Sequence, residues 1–132
     1  MREIKFRGYR WDTGWLYGDL IHSYIGTKIC VQDETSPYDG FEVVVNPETV
    51  GQSLGGYDCN DTEIFEGDIV EYDMDSSIEK GVVVYDAING AYIKCVDGGT
   101  ISIMDCGCGD TTFDDLKVVG NIHDDPELMK GE

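Results

Sequence analysis

Residues 81–95 read Gly81-Val82-Val83-Val84-Tyr85-Asp86-Ala87-Ile88-Asn89-Gly90-Ala91-Tyr92-Ile93-Lys94-Cys95. Two runs rich in β-branched and aromatic residues flank Asn89-Gly90, a pair that tolerates left-handed backbone at both positions, so the stretch predicts a tight hairpin. Asp97-Gly98-Gly99 predicts a second turn, and residues 100–104 a third strand, making an antiparallel meander. Upstream, Asp68-Ile69-Val70-Glu71-Tyr72 alternates polar and apolar residues after Gly67, as a half-buried strand does. Downstream, residues 116–122 offer a last strand, bulged or bent at Gly120. Asp125 then precedes Pro126, a proline suited to the first helical position, and the few residues that follow allow only a short helical turn.

The amino-terminal part reads in the same way. Ile4, Phe6 and Tyr9 punctuate Arg2, Lys5 and Arg7, and a second strand begins after Asp12-Thr13-Gly14, where glycine supplies the positive φ of a hairpin connection. Residues 2–22 therefore form one hairpin, with Tyr9, Trp11, Trp15 and Tyr17 placed either to pack across its strands or to present a recognition surface. Residues 28–32 and 41–45 are two further strands around the turn-rich Ser36-Pro37-Tyr38-Asp39-Gly40. Pro47, Gly51, Gly55 and Gly56 make residues 47–62 read as a surface loop. The expected fold is mainly β, with short antiparallel strands forming a compact sheet or small-barrel-like domain and at most a short C-terminal helical turn. It is one domain over 1–132, with a subdivision into an amino-terminal β lobe, 1–50, and a carboxy-terminal β lobe, 64–132, joined by loop 51–63.

Composition agrees with a folded chain. Its 132 residues are 41% hydrophobic and 11% aromatic, too apolar for a disordered acidic tail. No apolar run reaches the roughly 18 residues of a membrane span, and no export segment is recognisable. The five cysteines are an odd number without a regular framework, which favours free thiols in a reducing cytoplasm. With 27 acidic residues against 9 basic ones the formal charge is -18. Residues 1–10 hold Arg2, Lys5, Arg7 and Arg10 against Glu3, so nearly all the negative charge lies further along. Such a chain repels phosphate backbones and anionic membranes and attracts basic partners.

Chemical motifs are sparse. Cys106-Gly107-Cys108 is a soft-metal candidate, although structural zinc recruits four ligands from paired spacings and only isolated cysteines remain to help. Asp58, Asn60, Asp61, Glu63, Glu66 and Asp68 form an oxygen-rich segment, yet Thr62 and Glu63 break the spacing of a calcium loop, and a solvated acidic loop is the plainer reading. Asp58, Asp61, Glu63 and Asp68 are its cation-site candidates. His22 and His123 stand outside any metalloprotease or nucleophile motif, and no phosphate loop is present. No cofactor is expected.

The whole chain resembles the YopX family of small phage and prophage proteins. The resemblance runs through Met1-Arg2-Glu3-Ile4-Lys5-Phe6-Arg7-Gly8, Trp15-Leu16-Tyr17-Gly18-Asp19-Leu20, Val50-Gly51-Gln52 and Ile64-Phe65-Glu66-Gly67-Asp68-Ile69-Val70. It closes with Val118-Val119-Gly120-Asn121-Ile122-His123 and Pro126-Glu127-Leu128. It implies a mainly β fold and a viral or prophage origin, and it assigns no catalytic residue. The chain departs from the family pattern at Asn60-Asp61-Thr62, where relatives place glycine after an asparagine or aspartate. The expected role is a noncatalytic accessory protein of the host-cell cytoplasm that binds a basic host or phage protein, with Trp11, Trp15, Tyr17 and Tyr57 as candidate anchors. Two alternatives stand beside it: a metal-assisted enzyme built on the acidic cluster, and a DNA mimic whose carboxylates occupy a DNA-binding partner. Direct nucleic-acid or membrane binding is disfavoured.

Overall fold

The computed structural model describes residues 5–74, 77–86, 90–96, 99–102 and 116–129. The chain divides into two compact units, Met1–Ser53 and Leu54–Glu132.

In the first unit β1 (Phe6–Arg10) and β2 (Gly14–Ser23) form the expected hairpin, with Tyr9 opposite Trp15 and Arg10 opposite Gly14. The Thr13 N–H donates to the Arg10 carbonyl at 3.2 Å, and Gly14 takes the positive φ (83°) that the turn needs. β3 (Gly26–Val31) returns along β2, and β4 (Glu42–Val44) pairs with β3. β5 (Asn46–Tyr57) lies against β1. The strand order is β4-β3-β2-β1-β5, and β6 (Glu63–Phe65) follows β5 in that order. Only Val45 separates β4 from β5, although they flank opposite sides of the β1–β3 meander, so these strands curl. The Val45 N–H donates to the Thr27 carbonyl at 2.9 Å. Its side chain is buried with Leu16, Ile29 and Val31, and Phe6, Leu20, Tyr38, Val43 and Val50 pack around them. Each fully buried aliphatic side chain of this kind contributes about 1.5–3 kcal/mol.

The expected loop over 47–62 is corrected: most of it is β5, and irregular backbone is confined to 58–62. The sequence conceals this strand for two reasons. Pro47 cannot donate to a ladder, but the register between β1 and β5 shifts between Arg7 and Tyr9, and the pairing passes around it. Thr49 bridges the irregularity, its hydroxyl accepting the Tyr9 N–H at 2.9 Å and donating to the Asn46 carbonyl at 2.6 Å. In addition, Thr49, Gly51 and Ser53 are all buried, so part of the strand is enclosed at positions that carry no hydrophobic signal. The division between units accordingly falls inside a strand, at Ser53 and Leu54.

The second unit contains a five-stranded antiparallel sheet in the order β10-β9-β8-β7-β11. Its strands are β7 (Asp68–Met74), β8 (Ser77–Asp86), β9 (Gly90–Cys95), β10 (Thr100–Ser102) and β11 (Leu116–Asn121). The meander read from residues 81–104 is present, with Tyr85 opposite Ala91, Asp86 opposite Gly90 and Lys94 opposite Thr100. Asn89, Asp97-Gly98 and residues 103–104 lie outside the described residues. β11 pairs with β7, and its register shifts between Val118 and Gly120, the expected bulge. A single 3₁₀ turn, Pro126–Met129, follows Asp125, whose carbonyl accepts the Leu128 N–H at 3.0 Å. Leu54, Ile64, Val70, Tyr72, Val83, Ile93 and Leu116 form this unit's core.

Candidate functional site

Asp58 follows β5 and is 1% exposed, although the sequence reads as a solvated acidic loop there. Its Oδ1 accepts the N–H groups of Asn60 and Thr62, both at 2.8 Å, and its Oδ2 accepts the N–H of Val118 at 2.7 Å. The turn is closed by the Asp58 N–H donating to the Thr62 carbonyl and the Asp61 N–H to the Asp58 carbonyl, at 2.9 and 3.0 Å. The Cys59 N–H donates to Leu116 at 3.0 Å. This carboxylate is a clamp between the 58–62 turn and β11, 60 residues away. Burying a carboxylate is tolerable here because charge-assisted amide donors replace its water.

Asp68, 2% exposed, plays a similar local part where β6 turns into β7, its Oδ2 accepting the Phe65 N–H at 2.8 Å. Asp61 is exposed and Glu63 half-buried. The four carboxylates of the sequence cluster are thus split between buried amide acceptors and surface groups, and the hydrated loop expected for them is corrected at Asp58 and Asp68. Among the described residues, no three His, Cys, Asp or Glu side chains come together in a way that could hold a metal ion. Cys106 and Cys108 lie outside the described residues, while Cys30, Cys59 and Cys95 are free thiols.

Asp61 takes φ = 66°, the left-handed conformation that glycine adopts without a Cβ penalty. Its side chain is exposed, so Asp61→Gly removes the strain and is expected to stabilise the protein by about 0.5–1 kcal/mol. A thermal melting point that stays level or falls would contradict that reading of the turn.

The aromatic candidates separate in the same way. Trp15 meets Tyr9 edge to face, with ring centroids 5.4 Å apart, and carries the buried Arg7 guanidinium 4.6 Å from its ring centre. Tyr17 is half-buried opposite Arg7. Trp11, at the hairpin turn, is 83% exposed, and Tyr57 is 40% exposed. Trp11 borders an open hollow of about 660 Å³. Tyr9 and Arg10 line it beside Trp11, with Ile25 from the β2–β3 turn and the segment from Val44 to Asn46. Pairing of Tyr9 with Asn46, together with the hydrogen bond from Val45 to Thr27, brings these pieces together. Ile25 and Val44 were not singled out from the sequence. The available signal was Tyr24-Ile25, two large apolar residues in a two-residue turn where small or polar ones are usual; both are exposed.

Charge is divided unequally. The first unit holds 8 acidic against 5 basic residues, and the second 19 against 4. The surface carboxylate of Asp33 is held below the usual carboxylate range first by the Thr35 hydroxyl, which donates to it at 2.6 Å, and then by the Thr35 N–H at 3.0 Å. The folded state is therefore favoured while Asp33 is ionised, and that small contribution disappears as pH falls through the lowered value. Thr35→Val removes the hydroxyl donor and is expected to raise the Asp33 titration midpoint, read from its carboxyl carbon shift. An unmoved midpoint would show that the hydroxyl is not the cause.

No helix among the described residues is long and apolar enough to cross a membrane. No curated protein matches the chain. The crystal structure of protein EF1440 from Enterococcus faecalis is similar to it, with a TM-score of 0.54 and 21% identity, over 98% of this chain and 99% of that one. At that identity the likeness concerns the fold. The YopX protein family model matches residues 5–130, nearly the whole length, and the chain belongs to that family.

Proposed function

We propose that this protein is a noncatalytic phage or prophage accessory protein that acts in the host-cell cytoplasm by binding a basic host or phage protein through its acidic second unit. The observation that carries this reading is the 19-to-4 excess of acidic over basic residues in Leu54–Glu132. A field of that sign speeds encounter with a basic surface and orients it. Asp61, Glu79 and Glu127 are exposed contributors, and Tyr57 adds a partly exposed ring next to the Asp58 turn. Asp58 and Asp68, the most enclosed carboxylates of the acidic segment, hold backbone amides, a use that organises the fold rather than a reaction.

The test is affinity capture from infected or prophage-bearing host extract, using the native chain and a variant carrying Asp61→Asn, Glu79→Gln and Glu127→Gln. A saturable basic partner is expected on the native protein. Its binding should weaken as sodium chloride rises and weaken further on the variant, because both screen or remove the same field. A partner whose affinity ignores salt and these substitutions, or the absence of any saturable partner, would refute the proposal.

A further inference from the structure

We infer that one face of the five-stranded sheet in the second unit is a docking surface for an acidic peptide segment of a partner protein, with Lys80, Lys94 and Lys117 as its anchors. Val70, Tyr72, Val83, Ile93 and Leu116 of that sheet are buried in the core, so the residues alternating with them stand on the opposite face. Register places Lys117 opposite Glu71 and Glu71 opposite Lys80 in one row of that face. In the next row Val82 lies opposite Lys94, and Lys94 opposite Thr100. Lys94 and Lys117 are exposed and Lys80 is half-buried. Ile78, two residues from Lys80, is 65% exposed, and Val96, whose N–H donates to the Lys80 carbonyl at 3.2 Å, is 38% exposed.

Charge selects the occupant. The second unit holds 19 acidic residues against 4 basic ones, yet its described lysines all fall in these two rows, where Glu71 is the one acid. Asp73 and Asp86 stand on the same face only in rows further out. Among the described residues, the side chains of Lys80, Lys94 and Lys117 make no ion pair, whereas Arg10 and Lys28 of the first unit are paired with Asp12 and Glu42. In a chain so rich in carboxylates, three such ammonium groups beside two exposed aliphatic side chains match an external anion that also brings apolar groups. Neighbouring strands lie about 4.8 Å apart, so Lys80 is about 10 Å from Lys117 and, on the diagonal, about 7–8 Å from Lys94. An extended peptide, rising about 3.3 Å per residue, sets carboxylates two or three residues apart at the same spacings. A nucleic-acid strand carries a charge at every nucleotide and no aliphatic side chain for Ile78 and Val96, so the surrounding acids repel it along its length.

This surface is separate from the acidic one proposed for a basic partner, and different substitutions weaken the two. Fluorescence anisotropy of a short labelled peptide that alternates glutamate with leucine, titrated with the full chain, is expected to show saturable binding that weakens as sodium chloride rises. A variant combining Lys80→Gln, Lys94→Gln and Lys117→Gln is expected to raise the dissociation constant at least about tenfold, the scale of losing three exposed ion pairs together. Lys28→Gln, in the first unit and already paired with Glu42, should leave it unchanged. The variant carrying Asp61→Asn, Glu79→Gln and Glu127→Gln, which should weaken a basic partner, is expected to hold the peptide at least as tightly as the native chain does. Circular dichroism of each variant checks that it folds. Absence of saturable binding, an affinity untouched by the three lysine substitutions, or one kept when glutamine replaces glutamate in the peptide would overturn the inference. So would a single-stranded oligothymidine that binds the same lysines more tightly than the peptide, a result that would assign the face to nucleic acid.

Discussion

Asp58→Ala is expected to destabilise the second unit by about 3–5 kcal/mol, since it removes the acceptors of three charge-assisted hydrogen bonds and leaves their amide donors facing a cavity. Against the roughly 5–15 kcal/mol that holds a typical domain together, this is a large fraction. The urea midpoint followed by far-ultraviolet circular dichroism should drop by roughly 1–3 M. Asp58→Asn separates charge from shape. The amide keeps one oxygen acceptor but turns an NH₂ group towards an N–H donor, whether that of Val118 or those of Asn60 and Thr62, so about 2 kcal/mol should still be lost. If both variants unfold with the native midpoint, the clamp does not matter and the 58–62 turn is held by its backbone bonds alone.

Gly18→Ala is expected to damage the first unit by about 3 kcal/mol or more, combining a backbone collision with an unfavourable φ. A Cβ at Gly18 would land on the Cys30 carbonyl oxygen and 2.7 Å from the Gln32 nitrogen. Both are backbone atoms of the paired segment, where the Gln32 N–H donates to the Tyr17 carbonyl at 2.9 Å, so they cannot rotate aside as a side chain would. Gly14 supplies the control: it also has a positive φ, 83°, but open space where a Cβ would go. Gly14→Ala should therefore cost only about 1–2 kcal/mol, the conformational part alone. Both tryptophans, Trp11 and Trp15, lie in the first unit, and their fluorescence during denaturation measures each variant. Equal midpoints for the two alanine variants would show that close approach of the strands at Gly18 contributes nothing.

What was legible in advance was local. Gly14, the 81–95 stretch and Pro126 announce a hairpin, a meander and a 3₁₀ turn because turn residues and alternating side chains act on their immediate neighbours. The strand at Asn46–Tyr57 was hidden because its buried positions Thr49, Gly51 and Ser53 carry no hydrophobic signature. The acidic segment misled for a related reason. A carboxylate looks like a hydrated group or a metal ligand until its donors are known, and one donor to Asp58 comes from Val118.

By itself, the amino-acid sequence determined that this is a β protein with antiparallel strands, a strongly acidic net charge and YopX-family character. These follow from side-chain periodicity, turn chemistry, net charge and ordered motifs, none of which needs long-range partners. Tertiary structure alone decided that Asp58 faces inward, that Trp11 stays exposed while Trp15 packs, and that Ile25 and Val44 border the same hollow. Each depends on which distant backbone donors and strand edges are brought together, and that pairing is a property of the folded chain as a whole.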